Sequence, residues 1–343
     1  MKRHLTLCLG LALLVSLTIA AVAQQKLAQT GFNFLSVGTD ARATGMGEAS
    51  ATMGGTSSAL LYNPAGIASL HDFVDLGTSQ LNWIADIRFL SGTLALAPFD
   101  GEYGVIGVSL LGVNYGEFKF TRVAATEQGY EDIVGLPKPW AYMVGVGYGK
   151  EVSTRFSVGG QVKHVFQSLG ESTIPVYTNV VDGSGNVRRD TSLVRQEYSA
   201  SVLAFDFGTI YRTGWRSLAF GMSITNFSRE VKYVSEQFQL PLAFRFGVSM
   251  DLMDLFPALE EDHALTVSVD AVHPRSYPEL MNIGGEYVFG GISALRVGYI
   301  TQHDDYGFTA GLGARRMGVS VDYSFTPHDI FNDLQRFSVR FTY

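Results

Sequence analysis

The final eight residues, Arg336-Phe337-Ser338-Val339-Arg340-Phe341-Thr342-Tyr343, alternate polar and apolar without a break and finish on an aromatic. A period of two marks a strand with unlike faces. Chain ends fray unless they are tied down, so an apolar stripe carried to the last residue requires a strand that is paired along its whole length. A sheet that closes on itself supplies the pairing. The pattern predicts a transmembrane antiparallel β-barrel of the outer membrane, with its last strand running towards the periplasm. Phe337, Val339, Phe341 and Tyr343 are then its lipid-facing closing stripe and, by resemblance to the last strands of other such barrels, the expected signal for the barrel assembly machinery.

The alternation recurs upstream. Val319, Val321, Tyr323 and Phe325 enclose Ser320, Asp322 and Ser324, and Leu295, Val297 and Tyr299 enclose Arg296 and Gly298. Phe244, Phe246, Val248 and Met250 enclose Arg245, Gly247 and Ser249, and Leu265, Val267 and Val269 enclose Thr266 and Ser268. Strands are expected near 72–80, 86–97, 103–113, 140–150, 155–166, 197–212, 217–226, 241–250, 264–273, 280–289, 293–300, 306–313, 317–325 and 336–343, about 14 in all. If the last one runs inward, the periplasmic connections are short: Ala314–Arg316, Gly290–Ile292, Thr213–Arg216, Glu151–Ser153 and Pro98–Glu102. The long connections, 114–139, 167–196 and 227–240, fall on the outer side. The exception, Asp251 to His263, reads as a short amphipathic helix at the interface. A soluble β-sandwich also buries one face of each strand, but it accounts for neither the one-sided short turns nor the aromatic terminus.

Hydrophobic residues make up 46% of the chain and charged residues 17%, yet beyond residue 23 no run of about 18 apolar residues offers a spanning helix. The N-terminus has the form of a secretory signal peptide over 1–23, with Lys2 and Arg3, an apolar stretch from Leu5 to Ala20, and small residues Ala21-Val22-Ala23. Residues 24–70 form an expected plug and 71–343 the barrel. Cys8 lies in the leader, so the mature chain has no thiol chemistry. Losing Lys2 and Arg3 takes the formal charge from −7 to −9, which argues against a nucleic-acid partner.

Gln25 to Leu70 is rich in small residues and not strand-like, as suits a segment folded inside a barrel lumen. Asn63 suits an N-cap and Pro64 the first position of a brief helix ending near Ser69; Ser57 and Ser58 suit the cap of a second one carrying Ala59 to Tyr62. Gly145-x-Gly147-x-Gly149 and Gly311-x-Gly313 fall within strand patterns and read as lumen-facing glycine rather than phosphate loops. His71, His164, His263, His273, His303 and His328 show no metal-ligand spacing; His303-Asp304-Asp305 and His328 to Asp333 read as a solvated acidic rim. No Ser/His/Asp arrangement stands at recognisable spacing, and neither an enzyme nor a cofactor is expected.

Ala41-Arg42-Ala43-Thr44-Gly45-Met46-Gly47-Glu48-Ala49, followed by Tyr62-Asn63-Pro64-Ala65-Gly66-Ile67-Ala68, resembles the N-terminal signature of the PorV/PorQ family within the FadL-like barrel superfamily. The matching positions are Arg42, Gly45, Met46, Gly47, Asn63, Pro64, Ala65 and Gly66. The resemblance implies a 14-stranded barrel with an N-terminal plug and a docking or scaffold role in type IX secretion or surface attachment. Its partners would be secretion-complex or surface-attached proteins, besides outer-membrane lipid. Phe118, Phe120, Tyr130 and Tyr177, in the long outer connections, are the candidate partner anchors; Trp140, at a strand start, reads as girdle. The alternative is a FadL-type channel taking up hydrophobic small molecules. Assignable inward positions, among them Arg245, Ser249, Thr266, Ser268, Arg296, Asp322, Arg336 and Arg340, are polar, which favours a hydrated interior; a small apolar pocket near Phe32, Phe34, Leu35 and Met46 stays compatible with it.

Overall fold

The computed structural model describes residues 30–116, 120–123, 127–133, 138–181, 187–233, 236–256, 263–303 and 306–343. The expected signal peptide lies outside them, as does Phe118. Among the described residues eighteen strands follow one another, and fourteen of them close an antiparallel barrel. The wall comprises β1 (Val74–Asn82), β2 (Arg88–Leu96), β3 (Val105–Asn114), β6 (Trp140–Ser153), β7 (Phe156–Val181), β8 (Val187–Arg212) and β9 (Ala219–Ser228). It continues through β12 (Ala243–Asp251), β13 (His263–Pro274), β14 (Leu280–Phe289), β15 (Ser293–Ile300), β16 (Phe308–Arg316), β17 (Val319–Thr326) and β18 (Leu334–Thr342). The short pairs β4 (Phe120–Val123) with β5 (Tyr130–Ile133), and β10 (Val231–Tyr233) with β11 (Glu236–Phe238), form two small hairpins in the long connections. β18 closes on β1 from Asp75↔Thr342 to Asn82↔Gln335, so no edge remains in the wall.

The period of two sorts the wall as expected. Phe337, Phe341 and Tyr343 face outwards, with Val339 half-buried between them, and Leu295, Val297 and Tyr299 are likewise on the outer face. Leu76, Leu90, Ile106, Leu203, Phe207 and Leu312 extend this apolar surface around the barrel. Such a belt around a closed sheet is stable when lipid covers it. Trp140 lies in it near the loop end, stacked with Tyr142 at 5.5 Å and against Phe166 at 5.0 Å, as a girdle aromatic does. Turns at the end that carries Tyr343 are short, such as Met317–Gly318 and Gly290–Ile292. Asp251 caps a 3-10 helix at Leu252–Leu255, its side chain accepting from the Met253 amide, in the one long connection at this end.

One connection departs from the expectation. Residues 167–196, expected as a loop, belong largely to a ribbon: β7 and β8 stay paired from Glu171↔Glu197 to Val181↔Val187 after β6 has ended at Ser168. At about 3.3 Å per residue the ribbon projects about 35 Å beyond its neighbours. Near its start the second strand reads Arg188-Arg189-Asp190-Thr191-Ser192, which carries no apolar stripe to announce a strand.

Candidate functional site

The segment from Thr30 to Leu70 winds through the lumen as four short helices, at Asn33–Ser36, Ala41–Gly45, Pro64–Ser69 and Ser57–Leu61. Asn63 accepts a hydrogen bond from the Ala65 amide with Pro64 at the first helical position, which pins the third of these. The Ser57–Leu61 helix differs from expectation: Thr56 occupies its N-cap and pairs its hydroxyl with Ser58 Oγ at 3.2 Å rather than with a helix amide, while Ser57 turns its amide to the wall carboxylate of Asp75 at 2.7 Å.

A plug without sheet partners must find other acceptors for its backbone. Wall side chains supply them. Asp270 accepts from the amides of Ser50 (2.7 Å) and Ala51 (2.8 Å), Ser338 from the amide of Ala41 (2.9 Å), and Arg336 donates to the carbonyl of Gly38 (2.8 Å). Arg42 spans to Glu286 with two bonds, Nε to Oε2 at 2.9 Å and Nη2 to Oε1 at 2.6 Å. Arg296 joins the same carboxylate at 2.6 Å and reaches Asp322 at 2.7 Å, so two cations and two carboxylates form one buried network.

Wall glycines let the plug approach this closely. A Cβ at Gly298 would lie 2.1 Å from the amide nitrogen of Gly47, and one at Gly221 2.1 Å from the carbonyl of Ala51. The glycines of the two sequence motifs face the lumen too: Gly147 packs against Leu60, Gly149 against Ile67 and Gly311 against Gly45. The resemblance positions are thereby placed. Arg42 ties the plug down; Gly45, Met46 and Gly47 touch the wall over β14 to β16, and Asn63, Pro64, Ala65 and Gly66 sit between plug and wall over β6 to β8.

Above the plug, towards the loop end, lies a cavity of about 720 Å³. Phe32, Phe34 and Leu35 line it, but Met46 does not, because that side chain is turned against Gly284. The wall contributes Phe89, Leu111 and Met143, and the β1–β2 connection adds Trp83, Ile84 and Ile87. With Leu81, Val113, Val165 and Leu334 these residues form a continuous apolar cluster. The expectation of a polar interior therefore holds at plug level and gives way above it to a mainly apolar lining in which Arg245 still takes part. The change has a sequence cause: Phe89-Leu90, Leu110-Leu111 and Met143-Val144 are apolar on both faces, so alternation gives no contrast to read.

The rim is aromatic. Phe32 packs against Phe238 at 5.7 Å and Tyr233 at 6.2 Å, and Tyr306 stands between His303 and His328 with ring centroids 3.8 and 6.0 Å away. Burial pushes the Tyr115 phenol up to about 12, against a hydrogen bond with Gln167, and burial raises the Tyr233 phenol as well. Both stay neutral near pH 7. Among the described residues no three His, Cys, Asp or Glu side chains are placed to hold a metal; Asp304 and Asp305 lie outside them.

Lys163, Asp206, Asp270, Asn282 and Glu286 escaped the sequence reading. Each lies inward, and the signal that finds several of them is a lone polar residue between two apolar ones, as in Phe205-Asp206-Phe207, Val269-Asp270-Ala271 and Met281-Asn282-Ile283. Of the proposed loop anchors, Tyr130 is exposed on β5, Phe120 begins β4, and Tyr177 pairs with Thr191 in the ribbon.

No protein-family model and no curated protein sequence matches the chain. Solved structures do. The toluene transporter TbuX of Ralstonia pickettii superposes with a TM-score of 0.58 at 12% identity, over 89% of this chain and 98% of its own. A FadL homologue of Pseudomonas aeruginosa gives 0.54 at 12% identity, over 89% and 98%. The chain has the fold of the FadL-like barrels. The Pseudomonas putida toluene transporter TodX shares it as well, with a TM-score of 0.54 at 13% identity over 87% of this chain and 95% of its own.

Proposed function

We propose that this chain is an outer-membrane barrel of FadL-like type that takes small hydrophobic molecules from the loop end into its apolar cavity. The observation that carries the reading is the cavity itself. A lumen with a purely structural role would be filled, as the lower half is by the plug, whereas the upper half keeps mainly apolar walls, with a few polar side chains such as Lys163, Arg245 and Asn282, around about 720 Å³. Two of the structural neighbours are described as toluene transporters, which agrees with such a cavity. Trp83 lines it and reports on it. Titrating the detergent-solubilised barrel with an uncharged apolar compound should change its fluorescence saturably, and Trp83→Phe should remove the change. A linear response, as partition into detergent gives, would contradict the reading.

The docking role implied by the PorV/PorQ resemblance has one structural support, the projecting ribbon of β7 and β8. Among the described residues, past Ser168 and before Ala204 these strands pair in the ladder only with each other; β10 packs on β8, and the ribbon otherwise offers an outer edge for a partner to add to. Deleting 170–192 should leave the barrel inserted. If it abolishes co-purification of a secretion-complex or surface-attached protein, docking is part of the function; unchanged co-purification removes it.

A further inference from the structure

One polar side chain facing the cavity is left unsatisfied. Asn282 sits on β14 between Met281 and Ile283, which point to the lipid side, so its carboxamide turns into the lumen and lines the cavity. It is 3% exposed, and its Oδ1 is buried without a hydrogen-bond partner among the described residues. Native interiors rarely leave such a group unpaired unless a ligand or a water takes the bond.

The charges around the same cavity are set against an anion. Lys163 Nζ is spent on Asp206 Oδ2 at 2.7 Å and Asn226 Oδ1 at 2.6 Å. Arg245 lies 3.7 Å from Asp270 Oδ2 and donates to the Glu48 carbonyl and to Ser50 Oγ. Glu48 brings its own carboxylate to the lining and forms no ion pair among the described residues, while Arg275 stands exposed at the rim, where water screens it. A carboxylate entering here would displace a buried carboxylate from its cation or lose its hydration uncompensated. A hydroxyl has neither difficulty.

Resting on the conduit reading above, we propose that the cavity selects uncharged hydrophobic molecules bearing a hydroxyl, alkylphenols and fatty alcohols, over carboxylates. The hydroxyl donates to Asn282 Oδ1, and the apolar body lies across the cavity towards Phe34, Leu111 and Met143. A site built to hydrogen-bond a substrate group discriminates against analogues lacking it, because its own buried group is then left unpaired.

Three matched probes test this at about pH 7.5, where the phenol is neutral: butylbenzene, 4-butylphenol and 4-butylbenzoate, titrated calorimetrically into the whole barrel. We expect 4-butylphenol to bind at least about tenfold more tightly than either of the others. Asn282→Leu should erase its advantage over butylbenzene, which should itself bind at least as tightly as to the parent. Benzoate binding as tight as the phenol, or a preference that survives Asn282→Leu, would overturn the proposal while the conduit stands. If none of the three binds, butylbenzene included, the conduit reading itself fails and this one with it.

Discussion

Arg42 of the plug and Glu286 of the wall face each other as a two-bond fork, Nε to Oε2 at 2.9 Å and Nη2 to Oε1 at 2.6 Å, in a lumen where Arg296 donates to the same carboxylate. A planar guanidinium holding a planar carboxylate fixes orientation as well as distance. It is the strongest single tie between the plug and β14.

Arg42→Met should cut this tie. Glu286 keeps Arg296, so the carboxylate is not stranded and the cost should be about 2 kcal/mol rather than that of an orphaned buried charge. Heat-modified mobility on a gel should still report a folded barrel, while single-channel recording in a planar bilayer should show openings that the parent lacks. An equally quiet variant would show that the plug does not depend on the fork.

Gly298→Val should act on the same contact by sterics. Its Cβ would sit 2.1 Å from the Gly47 amide nitrogen, backbone against backbone, so the plug has to move. Ion conductance should rise as in Arg42→Met, and protease should gain access to residues 41–49. Unaltered protection of that segment would contradict the seating described above.

Phe341→Asp with Tyr343→Asp should lower the amount of barrel in the outer membrane. Phe341 lies on the outer face of β18 and Tyr343 just past its end, paired with Val74 beside the seam with β1, where a carboxylate facing lipid costs less than the roughly 2–4 kcal/mol of an Arg or Lys at the midplane but still disfavours insertion. Membrane fractionation measures the outcome, and parental levels would refute the lipid-facing stripe.

Much of the wall was legible because its lower lumen is polar. Arg296 between Leu295 and Val297, or Asp322 between Val321 and Tyr323, gives each strand two unlike faces, and one-sided turn lengths then order the strands. The Asn63-Pro64 helix start was readable for a local reason, a side-chain cap followed by a residue with fixed φ. The cavity was not legible. Leu111 in the lumen and Leu110 in the lipid are the same residue type, and only three-dimensional closure tells them apart. The ribbon was hidden for the opposite reason, since Arg188 to Ser192 is polar without a break and has no contrast to show.

Tyr115 offers a pH-dependent check on the closed rim. Burial raises its folded value to about 12, above the usual value of about 10 for a phenol. A group whose neutral form the fold favours contributes stability below its unfolded value, and that contribution is lost as pH rises from about 10 to about 12. The ultraviolet difference spectrum between parent and Tyr115→Phe should show phenolate appearing only in that upper range. A midpoint near 10 would mean that the phenol meets solvent freely.

On the proposed function, the loop half of this barrel receives a small hydrophobic molecule. Native mass spectrometry of the detergent-released barrel, incubated with an excess of one uncharged apolar compound, addresses it most directly. A single adduct should survive release, and Leu111→Trp, which fills the cavity from β3, should lose it while keeping the parental gel mobility. An adduct equally abundant in Leu111→Trp, or no adduct in the parent, would contradict the claim.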